Sequence, residues 1–303
     1  MPSYLKIFFS FLFLTVPLEI FAVEETEDHS RWIEVMPDSS ALCARGEPFS
    51  FFVSPAQTNS DKVIIDFMGG GACWDKNTCS KETATFVDSI DYLRKRQQEG
   101  LRGIYDRKRQ GHPFKNWHHV VIPYCTGDVH WGSHTKTYHV GEKDSFQINH
   151  HGAMNAHQVL KWVRRHFTTP KKMFITGCSA GSYGSIYWTP YYQEAFPLTK
   201  IYQFGDSGAG VMTKDFVSII QKNWKIEEYA PHWIPNLNSR NTLWSKLRTE
   251  DLYHFIGSFY PTSKFSQYHT NQDGVQTFFY ELMGGDPYNW SNFMKSSLNR
   301  IKK

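Results

Sequence analysis

Lys172-Met173-Phe174-Ile175-Thr176-Gly177-Cys178-Ser179-Ala180-Gly181-Ser182-Tyr183-Gly184 runs from a short apolar segment into the pentapeptide Gly-Cys-Ser-Ala-Gly. The apolar segment reads as a buried strand. G-x-S-x-G directly after a strand is the pattern of a nucleophile elbow, a sharp strand-to-helix turn that lifts a serine hydroxyl clear of the sheet. Small residues must flank that serine, because the backbone bends there and the helix crosses close by. The pentapeptide alone recurs by chance, and any glycine-rich turn can contain a serine. Its setting argues against chance: a strand precedes it, a helix-compatible segment over 182–188 follows, and a second glycine-rich strand end lies upstream. Ser179 is therefore the candidate nucleophile.

The upstream strand is Val63-Ile64-Ile65-Asp66-Phe67, short, β-branched and almost wholly apolar. That composition predicts a strand covered on both faces, as in a parallel sheet. It ends in Met68-Gly69-Gly70-Gly71-Ala72-Cys73-Trp74. Glycines at a strand end leave backbone N–H groups free to face a ligand, so Gly70, Gly71 and Ala180 are candidate donors of an oxyanion hole. The alternative is a plain tight turn.

Further strands are expected over 49–53, 118–125, 200–204 and 264–270, and helices over 153–167, 214–224 (capped by Thr213), 275–283 and from about Trp290. The helices are read from apolar residues at three- and four-residue spacing. Strands alternating with helices predict an α/β class, a mostly parallel sheet flanked by helices. Residues 24–38 read as loosely held, 80–110 as a surface helix and loops, 132–151 as a loop walling the pocket, and the stretch to about 248 as an insertion over the active site.

At 303 residues and 40% hydrophobic content, the chain can bury one large core, so a single domain over 23–303 is expected. Net charge is +4 and the isoelectric point about 8.6, a mild excess spread along the chain. Arg94-Lys95-Arg96 and Arg107-Lys108-Arg109 read as solvated faces, and without interleaved aromatics or a binding motif they argue against nucleic acid. Lys6, the apolar run over 7–16 and Ile20-Phe21-Ala22 fit a secretory signal peptide over 1–22, too short for a comfortable membrane span. An uncleaved anchor is the alternative. Five cysteines in an exported chain imply disulfides and one left over. Cys73 and Cys79 are the expected pair, with Cys43, Cys125 and Cys178 left open. No cofactor is called for, and a monomer with no membrane span after signal cleavage is expected.

An activated serine needs a base and an acid. Asp273, just past the last expected strand, is the candidate acid, with Asp206 as the alternative, an acid that could also be a structural carboxylate in its Gly-rich turn. No histidine follows His269. The candidate substitute bases are therefore His130, His150 and His151, and the other expectation is a chain that is short of its last strand and helix, or inactive. His130 with His134, or His150 with His151, offer metal-ligand types, but Gly132 and neighbouring turn residues oppose the helix that would hold a pair on one face, so no metal is expected.

Gly69-Gly70-Gly71-Ala72-Cys73-Trp74, Tyr124-Cys125-Thr126-Gly127-Asp128-Val129, Gly177-Cys178-Ser179-Ala180-Gly181, Asp206-Ser207-Gly208 and Gln272-Asp273-Gly274-Val275-Gln276, in that order, resemble the pectin acetylesterase and Notum family of carboxylesterases. The resemblance covers roughly 43–285. It implies an α/β-hydrolase fold, secretion, and removal of acetyl from plant pectin or of a fatty acyl group from a signalling protein. It also implies Ser179 as nucleophile, Asp273 as acid, and the Gly71 and Ala180 backbone as oxyanion hole. The substrate it implies is an ester, on an acetylated polysaccharide, an acylated protein or a small alcohol. Three positions depart from the family pattern: the tryptophan after the glycines is displaced to Trp74, Ser182 stands where many members have glycine, and the C-terminal histidine has no counterpart.

Overall fold

Val63, Ile64, Ile65 and Phe67 are all fully buried, as expected of a strand with helices on both faces. Burying a side chain of this kind is worth about 1.5–3 kcal/mol, so this strand anchors the core. The computed structural model describes residues 32–37, 40–99, 102–238 and 244–302. The segment read as a signal peptide, 1–22, lies outside them.

The elements in chain order are β1 (Ile33–Val35), β2 (Phe51–Ser54), β3 (Lys62–Phe67), α1 (Lys76–Cys79), α2 (Asp91–Glu99), β4 (His118–Ile122), β5 (His134–Val140), β6 (Asp144–His150) and α3 (Gly152–His166). Then come β7 (Lys172–Cys178), α4 (Ala180–Ala195), β8 (Lys200–Asp206), α5 (Lys214–Trp224), α6 (Thr249–Phe259), β9 (Lys264–Tyr268), α7 (Gly274–Leu282) and α8 (Trp290–Ile301). The main sheet runs β1-β2-β4-β3-β7-β8-β9. Its first two pairings are antiparallel, and the four from β4 to β9 are parallel. The α/β expectation therefore holds. Helix α4 crosses β3, β7 and β8, which puts its N-terminus above the middle of the sheet.

Three expectations are corrected. The stretch read as a pocket-walling loop over 132–151 is a two-stranded hairpin, β5 with β6, paired from His134 with His150 to Val140 with Asp144. Only Tyr138, Ile148 and His150 of its strands are buried, so the period-2 alternation that marks a strand is faint. Residues 33–35, read as loosely held, pair with β2 as an edge strand. Helix α6, whose Leu252, Tyr253 and Ile256 are buried, begins where the stretch read as an insertion ends. Arg107, read as part of a solvated face, is 3% exposed, and its guanidinium donates to the carbonyls of Ser54, Pro55 and Trp117. Burial lowers its pKa to about 10.

Cys73 pairs with Cys79, and Cys43 pairs with Cys125 across 82 positions, leaving the Cys178 thiol free. Among the described residues no helix is long and apolar enough to cross a membrane.

Candidate active site

The strand β7 enters the sharp turn at Ser179, whose φ of 54° and ψ of −122° lie where L-residues seldom go. Close packing enforces the bend. A methyl on Gly177 would collide with the Gly181 carbonyl, and one on Gly181 would collide with the Phe67 carbonyl of β3. Ser179 N–H donates to the Asp206 carbonyl at 2.8 Å, and Ser182 N–H donates to the Ser179 carbonyl at 2.9 Å. Of the five non-glycine residues with positive φ among those described, Val129, His130, Ser179 and Ser207 all follow parallel strands at this end of the sheet. Strain concentrated at the carboxyl ends of parallel strands marks a functional crevice.

The glycine bend after β3 lies against the elbow. A methyl on Gly69 would stand 3.1 Å from Ser179 Cβ. Gly71 has a φ of +80°, and a methyl there would strike the Thr85 carbonyl. The bend is anchored at both ends: Val87 N–H donates to the Gly70 carbonyl at 2.8 Å, and Cys73 N–H donates to the Gly127 carbonyl at 2.9 Å. The Cys73–Cys79 disulfide and Trp224 Nε1, donating to the Cys73 carbonyl at 3.0 Å, hold the far side.

Gly71, Ser179 and Ala180 line one small cavity of about 30 Å³. Val129, Met212, Phe216, Trp224, Phe279 and Met283 complete much of its apolar wall. Gly70 does not line this cavity. It borders the neighbouring surface groove that it shares with Gly71, Val275 and Phe278.

Asp273 caps α7: its Oδ1 accepts from Val275 N–H at 3.1 Å and from Gln276 N–H at 3.0 Å. One turn along, Gln276 Nε2 donates to Ser179 Oγ at 3.3 Å, and Tyr183 donates to Gln276 Oε1 at 3.4 Å. Asp273 and Ser179 are thus joined through the first turn of α7. Asp206 contributes its backbone to the elbow, and its carboxylate accepts from the Ser207 hydroxyl at 3.0 Å.

The histidines fall into two groups. His130 is buried under α4 with Nε2 donating to the Met68 carbonyl at 2.8 Å, and burial lowers its pKa to about 4. His150 lies between the Thr126 carbonyl and the Tyr138 hydroxyl, and burial lowers its pKa to about 3. His151 Nε2 meets the Thr135 hydroxyl at 2.9 Å. None of these three hydrogen-bonds Ser179 among the described residues. His269 differs: both ring nitrogens are buried without a partner, and Nδ1 lies 4.0 Å from Asp273 Oδ2. Burial lowers its pKa, while Asp273 and Asp206 pull it upward.

Beneath the site, Asp128 is fully buried and accepts from Thr126 Oγ1, His130 N–H and Gly152 N–H. Burial raises its pKa to about 6. Among the described residues, the group of His, Cys, Asp or Glu close enough to hold a metal ion is Cys73, Cys79 and His150, and its two sulfurs are joined in a disulfide.

Sequence reasoning missed Gln276 as the neighbour of Ser179. Its position three residues after Asp273, on the same helical face, was the available signal. It also missed the apolar wall, which brings together the loop after β4, the start and end of α5, and α7.

The pectinacetylesterase family model matches residues 23–271. Pectin acetylesterase 5 of Arabidopsis thaliana is 25% identical over 166 residues, which are 54% of this chain and 38% of that protein, so the match spans well under half of the relative. A protein of Danio rerio named inactive palmitoleoyl-protein carboxylesterase notum1b is 24% identical over 131 residues, 42% of this chain and 86% of that one. The Drosophila Wnt deacylase Notum superposes with a TM-score of 0.57 at 18% identity, covering 88% of this chain and 81% of the other. The last likeness is one of fold, a Notum-like α/β-hydrolase.

Proposed function

The chain belongs to the pectinacetylesterase family, and from that premise we propose that it is an exported serine carboxylesterase acting on small acyl groups. The observation that carries the reading is the strained Ser179 beside the triple-glycine bend, in one cavity with Gly71 and Ala180. Ser179 Oγ attacks the ester carbonyl carbon, and the carbonyl electron pair moves to oxygen. The N–H groups of Gly71 and Ala180, which line the cavity with Ser179, stabilise that oxyanion. A base takes the Ser179 hydroxyl proton during attack and gives it to the departing alkoxide on collapse, which frees the alcohol and leaves an acyl-enzyme that water then cleaves by the same route.

Asp273 is the acid in this reading. Its capping of α7 ties it through Gln276 to Ser179, whereas the Asp206 carboxylate is bonded to Ser207. His269, the imidazole beside Asp273, is the proton acceptor to be tested first. The apolar cavity of about 30 Å³ beside Ser179 suits a small acyl group, which favours acetyl esters, carried on a polysaccharide, a protein or a small alcohol. Export rests on the two disulfides and the signal-like residues 1–22. The test is hydrolysis of p-nitrophenyl acetate and p-nitrophenyl palmitate by the wild type and Ser179→Ala. The reading requires turnover of the acetate alone, abolished by the substitution.

One observation favours a second reading, a hydrolase-fold protein that binds a glycan or lipid without turnover. The partner of Ser179 Oγ among the described residues is an amide and not an imidazole. Saturable ligand binding by a protein that hydrolyses no ester would support this reading over the first.

A further inference from the structure

Gly71 and Phe279 line the cavity beside Ser179, and both also line the neighbouring groove of about 490 Å³, a size within the usual range for a small-molecule site. A larger cleft of about 670 Å³ meets the same cavity at Met212 but takes in neither Gly70 nor Gly71. In a tetrahedral adduct on Ser179, the oxyanion, the acyl group and the alkoxy group leave one carbon in different directions. With the acyl group in the small cavity and the oxyanion at the Gly71 N–H, the groove that borders Gly71 lies next to the alkoxy oxygen.

The groove is fixed on both sides. The segment 84–87 is tied to the glycine bend by the bridge between Gly71 and Phe86, and by Val87 N–H donating to the Gly70 carbonyl at 2.8 Å. The facing wall is α7, which Asp273 caps and whose Gln276 reaches Ser179 Oγ. Val275 and Phe278, one turn apart on α7, line the groove while 60% and 48% exposed. Large apolar side chains left in water beside a formed hollow mark a binding surface.

The chemistry of the walls selects the occupant. Ala84, Phe86, Val87, Val275, Phe278 and Phe279 supply the side chains, and no charged residue lines the groove among the described residues. Thr85, its one polar side chain, already donates its hydroxyl to the Ala72 carbonyl at 2.7 Å. A polyhydroxylated alcohol would give up hydrogen bonds to water here and find no side chain to replace them, whereas an apolar alcohol gives up none. The Phe278 and Phe279 rings meet edge to face at 5.4 Å, an arrangement that a further ring can extend.

We propose that this groove binds the alcohol half of the ester, and that this half is an apolar alcohol carrying an aromatic ring. The assignment to the alcohol half rests on the esterase reading, but binding itself does not require turnover. One arm of the test is therefore calorimetric titration of Ser179→Ala protein with 2-naphthylmethanol and with glycerol. Saturable binding of 2-naphthylmethanol alone is expected, weakened about tenfold when Val275→Ser and Phe278→Ser are added. The other arm compares wild-type hydrolysis of 2-naphthylmethyl acetate and glycerol monoacetate, both esters of primary alcohols. A kcat/KM at least tenfold higher for the naphthylmethyl ester is expected, with the advantage lost through KM in the Val275→Ser/Phe278→Ser protein. No binding of 2-naphthylmethanol, unchanged binding after the two substitutions, or equal kcat/KM for the two esters would overturn the proposal. Intact binding of 2-naphthylmethanol by a protein that hydrolyses neither ester would instead refute only the esterase reading.

Discussion

Replacing Gly71 with alanine separates the role of the glycine bend in catalysis from its role in folding. At a φ of +80° an L-residue is strained by about 1–2 kcal/mol. The added methyl would also strike the Thr85 carbonyl and stand 3.1 Å from Phe86 Cα and from Phe279 Cζ. Backbone on one side cannot yield, since Val87 N–H and the Gly70 carbonyl are hydrogen-bonded at 2.8 Å. Relief must come from moving the bend, and with it the Gly71 N–H that we propose as an oxyanion donor. Loss of one such donor lowers kcat about 10²- to 10³-fold. Gly46→Ala is the control: its φ is +92°, and a methyl there meets nothing within 4 Å. Thermal midpoints should fall in both variants, more in Gly71→Ala, while kcat on p-nitrophenyl acetate should collapse in Gly71→Ala alone. A folded Gly71→Ala protein that kept the kcat of Gly46→Ala would refute the placement of the oxyanion hole.

The remaining predictions concern the slot, the buried histidines and the disulfides. Phe279→Ala enlarges the acyl slot, so butyrate hydrolysis should rise about tenfold relative to acetate, measured as a ratio of kcat/KM values, since a methylene in an apolar pocket is worth about 1–3 kcal/mol. His130 and His150 have folded pKa values of about 4 and 3, below their unfolded value of 6.5. The unfolded chain then binds the extra protons, so their contribution is present above pH 6.5 and lost as pH falls, by about 3 kcal/mol each at pH 4. Asp128, raised to about 6 from 3.8, acts in the opposite sense over pH 4 to 6 and offsets part of this loss. Denaturant midpoints should still drop from pH 7 to 4, and His150→Gln should flatten the profile. Replacing Cys43 and Cys125 by serine, a closure of 82 positions, should cost about 4–5 kcal/mol, against about 2 kcal/mol for Cys73 and Cys79, separated by 6. The second pair should nonetheless cause the larger loss of activity, because Cys73 follows directly on the glycine bend.

What the sequence disclosed follows from locality. The strands β3, β7 and β8 are short apolar runs whose burial is written in their own residues, and the elbow is a contiguous pentapeptide. The hairpin β5–β6 escaped because its strands alternate polar with polar, and only Tyr138, Ile148 and His150 are buried. The Cys43–Cys125 bridge depends on β2 and β4 being sheet neighbours, a fact of topology that no spacing encodes. The same holds for the cavity beside Ser179, which gathers Val129, Met212 with Phe216, and Phe279 from three separate regions. The place of Asp273 just past β9 was legible, but its capping of α7 and the contact of Gln276 with Ser179 appear only once α7 is docked.

The central claim is that Ser179 is a nucleophile poised against main-chain N–H groups. Incubation with a fluorophosphonate, followed by peptide mass spectrometry, tests it most directly. A nucleophilic Ser179 gives a single adduct on the peptide that carries it, formed in the wild type and absent from Ser179→Ala. A folded wild-type protein that stays unlabelled, or an adduct that persists in Ser179→Ala, would contradict it.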